Sequence, residues 1–162
     1  MKVTDETDND TMATDTRSYL RISGRVTSPL VLGIEQLRAM DILDLENRPM
    51  ICGSGEPKGQ IGNCRGILLA DIINRAKVVV TDHNDTKKMY VIAASDDGYK
   101  AVFSWQEIFN SPNGDSIVVL FEKNGNPLYE EGDEVDLLSA RDHLSGPRYV
   151  KRLKNIEIVM VD

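Results

Sequence analysis

Two cysteines and one basic segment are the residues of this chain with the most chemical potential. Cys52 closes the apolar run Met50-Ile51-Cys52 and is followed by residues 53–63, which carry four glycines and one proline. Cys64 lies just beyond that stretch. Two cysteines are too few for a disulfide framework, and with only His83 and His143 beside them they make a poor zinc set. Each reads first as a small buried apolar residue. A disulfide between them in an oxidising compartment, closing the glycine-rich loop, is the other reading. The basic segment runs from Arg141 to Lys154, with five cations against one acid, a local net charge of +4. Arg148, Arg152 and Lys154 would share one face of a strand there, with Tyr149, Lys151 and Leu153 on the other. Such a face offers charge-assisted hydrogen bonds to a phosphate or another small anion, or else guards a sheet edge with charge.

Other chemistries lack their residues. Gly53, Gly55, Gly59 and Gly62 match the spacing of neither a P-loop nor a dinucleotide fingerprint. No Gly-x-Ser-x-Gly elbow exists, and His83 and His143 fall in polar connections where solvation explains them. The pairs Asp82/Asp85 and Asp96/Asp97 and the run from Glu130 to Glu134 lack the alternating oxygen ligands of a calcium loop, so they read as solvated turn residues.

The elements that must position these residues follow from periodicity. Leu20, Ile22 and Val26 form a strand-like run, and Ile34 and Leu37 share one face of a short helix. The second half of 42–52 reads as a strand ending at Cys52, 53–63 as a loop, and the pattern from Ile67 to Arg75 as a helix. Met89 to Ala94, Asp96-Asp97-Gly98 and Tyr99 to Phe103 read as a hairpin, and Ser104 opens a helix with Glu107 at capping-box spacing. Ile117 to Phe121 is a strand, Asn124-Gly125 a hairpin turn, and strands follow around 135–139 and 149–161. This predicts one α+β domain over 18–162, with mixed, mostly antiparallel sheets and short helices, after an acidic, disordered extension over 1–17.

Composition sets the outer bounds. The chain has 162 residues, 41% hydrophobic and 28% charged, enough for one ordinary soluble domain that buries roughly 70% of its unfolded surface without a staple. The formal charge is −7, of which residues 1–16 supply −4, so general binding to nucleic acid or anionic membrane is not expected. No apolar stretch is long enough to span a bilayer, and the start lacks the apolar core of a secretory signal.

In order along the chain stand Tyr19-Leu20-Arg21-Ile22-Ser23-Gly24-Arg25-Val26, Met50-Ile51-Cys52, Gly66-Ile67-Leu68-Leu69-Ala70-Asp71-Ile72-Ile73, Ser95-Asp96-Asp97-Gly98-Tyr99, Asn124-Gly125-Asn126-Pro127-Leu128 and Gly146-Pro147-Arg148-Tyr149-Val150-Lys151-Arg152-Leu153. This series resembles the molybdopterin-binding domain of the sulfite oxidase family over residues 19–161. The resemblance implies that Cys52 supplies a thiolate to molybdenum, beside the two sulfurs of the pterin dithiolene, and that Arg148, Val150 and Lys151 bind the molybdopterin. It further implies two-electron oxygen-atom transfer, an external electron acceptor such as a cytochrome, and a periplasmic setting. Soft thiolate ligation suits a high-valent metal.

Two stretches depart from the family. Thr11–Ser18 lacks the polar segment that cradles the pterin, and Glu130–Asp136 is acidic where a His and an Arg would hold the cofactor phosphate. Carboxylates there repel a phosphate unless they point elsewhere. The other expectation is therefore a binding module that kept the fold, lost the cofactor pocket, and uses loop 53–63 or the basic segment for a protein or small ligand.

Overall fold

The computed structural model describes residues 18–162; the acidic extension 1–17 lies outside them. Two five-stranded sheets carry the fold. The first has the order β2-β1-β12-β7-β8, built from β1 (Leu20–Gly24), β2 (Leu30–Leu32), β7 (Met89–Ser95), β8 (Lys100–Ser104) and β12 (Leu153–Met160). Strands β1 and β12 run parallel and the other pairs antiparallel. Residues Met89, Val91, Ala93 and Ser95 alternate inward along β7, as a sheet with one covered face requires. In β12 a register shift between Leu153 and Asn155 turns Leu153 and Ile156, three apart, onto the same buried side.

The second sheet has the order β10-β9-β6-β3, with β11 also on β9. Its strands are β3 (Leu43–Leu45), β6 (Cys64–Leu68), β9 (Ile117–Lys123), β10 (Asn126–Pro127) and β11 (Asp136–Ser139). All five residues from Ile117 to Phe121 are buried. Ile117, Val119 and Phe121 enter the main core with Ile22, Phe103 and Ile156, while Val118 and Leu120 face a second cluster with Ile61, Cys64 and Leu138. Asn124 at φ 51° and Gly125 at φ 83° make the expected tight turn between β9 and β10.

Three short helices pack at the edges: α1 (Ile34–Arg38), α2 (Leu69–Arg75) and α3 (Trp105–Phe109). Ser104 caps α3 by accepting from the Glu107 N–H at 2.9 Å, but the Glu107 carboxylate does not close the capping box. It turns instead to Arg148. None of the described helices is long and apolar enough to cross a membrane.

Four expectations need correction. The stretch 53–63 is not one loop, because Pro57–Gln60 forms β5 and pairs with β4 (Pro49–Ile51). The pattern from Ile67 onward is not all helix: Cys64–Leu68 is a strand, and α2 begins at Leu69. Periodicity there conceals a strand-to-helix junction, with Ile67 and Leu69 both fully buried. The segment 149–152 is not a continuous strand: Val150 makes a lone bridge to Leu137, and Lys151 and Arg152 form a turn with Arg152 at a φ of 51°, so Arg148, Arg152 and Lys154 share no strand face. Asp85 is not solvated; it is 6% exposed, accepts from the Thr81 and Asp82 N–H groups, and pairs with Arg25.

Strand β6 lies so close to β9 that a Cβ on Gly66 would stand 2.3 Å from the Val119 carbonyl oxygen. Gly66→Ala is therefore expected to lower stability by about 1–3 kcal/mol, read from the urea midpoint. An unchanged midpoint would contradict this contact.

Candidate functional site

A cavity of about 750 Å³ opens between the β4–β5 hairpin, the β7–β8 turn and the segment 146–151. Its walls are tied together by main-chain bonds. The Gly146 N–H donates to the Ile51 carbonyl at 2.7 Å, and the Ile51 N–H donates to Ser145 Oγ at 2.9 Å. Gly146 suits this approach because a Cβ there would lie 3.0 Å from the Ile51 oxygen. Across the opening, the Tyr99 hydroxyl donates to the Pro147 carbonyl at 2.6 Å.

Cys52 lines this cavity from the β4–β5 turn, where its N–H donates to the Glu56 carbonyl and its carbonyl accepts from Gly55. Gly55 has a φ of 90°, which this reversal requires and a side chain would resist. The Cys52 sulfur lies 2.9 Å from Ser54 Oγ. That hydroxyl above all, with the Ser54 and Glu56 backbone and the nearby Lys58 charge, lowers the thiol pKa to about 7 against a smaller cost of burial. Cys64 lines the same cavity from β6, but it is 1% exposed and burial pushes its pKa up. Both cysteines are free thiols.

The lining grades from charged to enclosed. Lys58, Lys123 and Lys151 are exposed around the opening, whereas Ile61, Cys64 and Asp136 are buried beneath it. Asp136 is 5% exposed and held by three donors: the Tyr129 hydroxyl at 2.8 Å, the Tyr149 hydroxyl at 2.5 Å and the Arg152 N–H at 3.0 Å. Burial first, and then Asp136, drive the Tyr129 and Tyr149 pKa values above the usual phenol range. Asp97, at the opening, is turned into its own hairpin by Ser95 and the Tyr99 N–H.

The acids of 130–136 are largely engaged elsewhere. Glu134 pairs with Lys154 and with Arg152 Nη1 at 2.8 Å, and Asp133 accepts from the Ser18 N–H at 2.9 Å. Burial raises the Glu134 pKa, but its bonds to Lys154 and Arg152 outweigh that and keep it below the ordinary range. Arg152 also lies over the Tyr129 ring at 4.1 Å.

Of the four expected site residues, Cys52 and Lys151 line the cavity and Arg148 and Val150 do not. Arg148 donates to Glu107 at 2.7 and 2.9 Å, to Asp142 at 2.8 and 2.9 Å and to the Val102 carbonyl at 3.1 Å, over the Phe103 ring. Val150 is fully buried, with its N–H and carbonyl both bonded to Leu137. Sequence reasoning missed Lys58, Lys123 and the Tyr129–Asp136–Tyr149 group. No local motif marks that group, because its members meet only through the pairing of β11 with residue 150.

No family model matches the chain, and no curated protein matches it. Among solved structures it is similar to the sulfane dehydrogenase SoxCD from Paracoccus pantotrophus, with a TM-score of 0.63 and 17% sequence identity. The match covers 87% of this chain and 38% of the other, so this chain corresponds to well under half of that protein's length. The likeness establishes a shared α+β fold of mostly antiparallel sheets.

Two outcomes follow from the site geometry. Alkylation of Cys52 by iodoacetamide, followed in a Cys64→Ser background, should reach half its maximal rate near pH 7. Ser54→Ala should move that midpoint toward about 8.5 and slow the reaction at neutral pH by roughly tenfold; a midpoint indifferent to Ser54 would contradict the assignment. Arg148→Met should cost about 2 kcal/mol at neutral pH. Arg148 bonding, foremost, lowers the Glu107 pKa, and in Asp142 it overcomes a burial cost. Both folded values lie below the unfolded ones, so this stability is present above about pH 4 and lost as pH falls through the folded values. The gap between wild type and Arg148→Met, from urea midpoints, should therefore narrow on acidification.

Proposed function

We propose that this chain is a cofactor-binding domain related to molybdopterin-dependent oxidoreductases, taking a molybdenum-pterin group in the cavity beside Cys52. The observation that carries this reading is the placement of Cys52: a thiol of lowered pKa on the wall of a 750 Å³ cavity ringed by three lysines. One protein thiolate is the donor set such a group needs, since its dithiolene brings its own sulfurs. The fold shared with sulfane dehydrogenase and the resemblance to the sulfite oxidase family support the same reading.

Each residue then has a physical task. Cys52, held by Ser54 and the Glu56 backbone, presents the thiolate, and the turn fixes where its sulfur lies. Lys58, Lys123 and Lys151 supply positive charge at the opening for the anionic end of the ligand. The internal pairing of Glu134 with Arg152 and Lys154 removes a charge that would oppose that anion. When bound, the group supplies two-electron oxygen-atom transfer chemistry, with electrons leaving to an external acceptor such as a cytochrome.

The commitment of Arg148 to Glu107 and Asp142 favours the second reading, a module that kept the fold and binds a ligand without this cofactor. Elemental analysis decides between them. Protein made in a host competent for molybdenum cofactor should carry near-stoichiometric molybdenum, and Cys52→Ser should lose it. Wild-type protein free of molybdenum would overturn the cofactor reading.

A further inference from the structure

Asp136, Tyr129 and Tyr149 meet on the enclosed side of the cavity, and their hydrogen-bonding capacity can be counted. Each phenol has one proton, and both donate to the carboxylate, Tyr129 to Oδ1 and Tyr149 to Oδ2. The Arg152 N–H takes the second position on Oδ1. What remains toward the cavity is one acceptor position on Asp136 Oδ2 and the lone pairs of two phenol oxygens, with no free donor in the group. The raised phenol pKa values keep both protons in place at neutral pH. Cys64, beside them, directs its own thiol to the Ile61 carbonyl at 3.6 Å.

A carbonyl or phosphate oxygen seated on this surface would meet only lone pairs, with the buried Asp136 carboxylate at its centre. An amino or ring N–H finds an acceptor at each position. The exposed end of the cavity has the opposite preference, because Lys58, Lys123 and Lys151 carry only donors.

We infer that the Tyr129–Asp136–Tyr149 floor is a specificity site for the N–H-bearing edge of an amino-pyrimidine-type heterocycle, whose acidic end faces the rim lysines. This rests on the reading of the cavity as a pterin site and assigns its orientation to residues of this chain. Asp136, counted from sequence as an acid opposed to the ligand, becomes the group that selects it. The phenols are positioning residues as well as acceptors, since their protons hold the carboxylate in place.

Calorimetric titration of the metal-free full chain with a carboxylated pterin and with its lumazine counterpart tests this. The two probes differ at one edge: the pterin carries an amino group beside an unprotonated ring nitrogen, and the lumazine a carbonyl beside a ring N–H. Wild type should prefer the pterin by at least about tenfold, the cost of setting a carbonyl against a buried acceptor. Asp136→Asn offers an amide donor of the same shape and should abolish or reverse that preference. Equal affinity for the two probes, preference for the lumazine, binding of neither, or an unchanged preference in folded Asp136→Asn would overturn the inference. The wild-type comparison decides alone if the variant does not fold. Molybdenum without pterin preference removes the floor assignment only, and pterin preference without molybdenum removes the Cys52 ligation only.

Discussion

Strand β9 is buried on both faces, and the rest of the molecule is arranged around that constraint. Complete burial of residues such as Ile117, Val119 or Phe121 stabilises by about 1.5–3 kcal/mol each, and Val118 and Leu120 gain as much on the opposite face. A strand with two apolar faces needs a layer on each. The first sheet and the helices cover one side; on the other, Met50 of β4, Ile61 and Tyr149 pack over Val118 and Leu120 together with Cys64 and Leu138 of the neighbouring strands. The second cover is small and incomplete. The cavity forms over this thinner layer, which is why Ile61 and Cys64 belong both to a core cluster and to the cavity lining.

Charge in this protein is sorted by pairing rather than by sequence position. The segment Arg141–Lys154 is strongly basic, yet three of its cations are matched by acids, from its own Asp142 and from Glu107 and Glu134 outside it. Arg148 finds Asp142 and Glu107, and Arg152 and Lys154 share Glu134. The lysine left toward the cavity from this segment is Lys151, which is joined there by Lys58 and Lys123 from distant strands. The acidic run 130–136 is likewise divided, with Glu134 turned to cations and Asp136 to hydroxyls and a backbone N–H. The ligand therefore meets a charge pattern that no single stretch of the chain contains.

The Cys52 environment shows how a local turn sets chemistry. Ser54 lies two residues from Cys52, so the hydroxyl that lowers the thiol pKa comes from the same reversal that Gly55 permits. Nothing distant is needed to make the thiolate. Distant contacts decide where it stands, through the Gly146–Ile51 and Ser145–Ile51 bonds that seat the hairpin against the cavity.

The hairpin at Asn124-Gly125, the Ser104 cap, the strand from Met89 to Ala94 and the apolar run of β9 were all legible in the residues, because each is written within a few positions. So was Cys52 as the residue to watch. The strand at Cys64–Leu68 was not, since an apolar run crossing a strand-to-helix junction imitates helical spacing. The fates of Arg148 and Asp136 were not legible either. From composition one is a free cation and the other an acid hostile to anions; in the fold the first is consumed by Glu107 and Asp142 and the second is ringed by donors. The sequence by itself determined turn chemistry, a helix cap and the strands written as apolar runs, all of which depend on near neighbours. Only the tertiary structure decided which charges face the cavity, because pairing is settled by residues that meet across dozens of positions of chain.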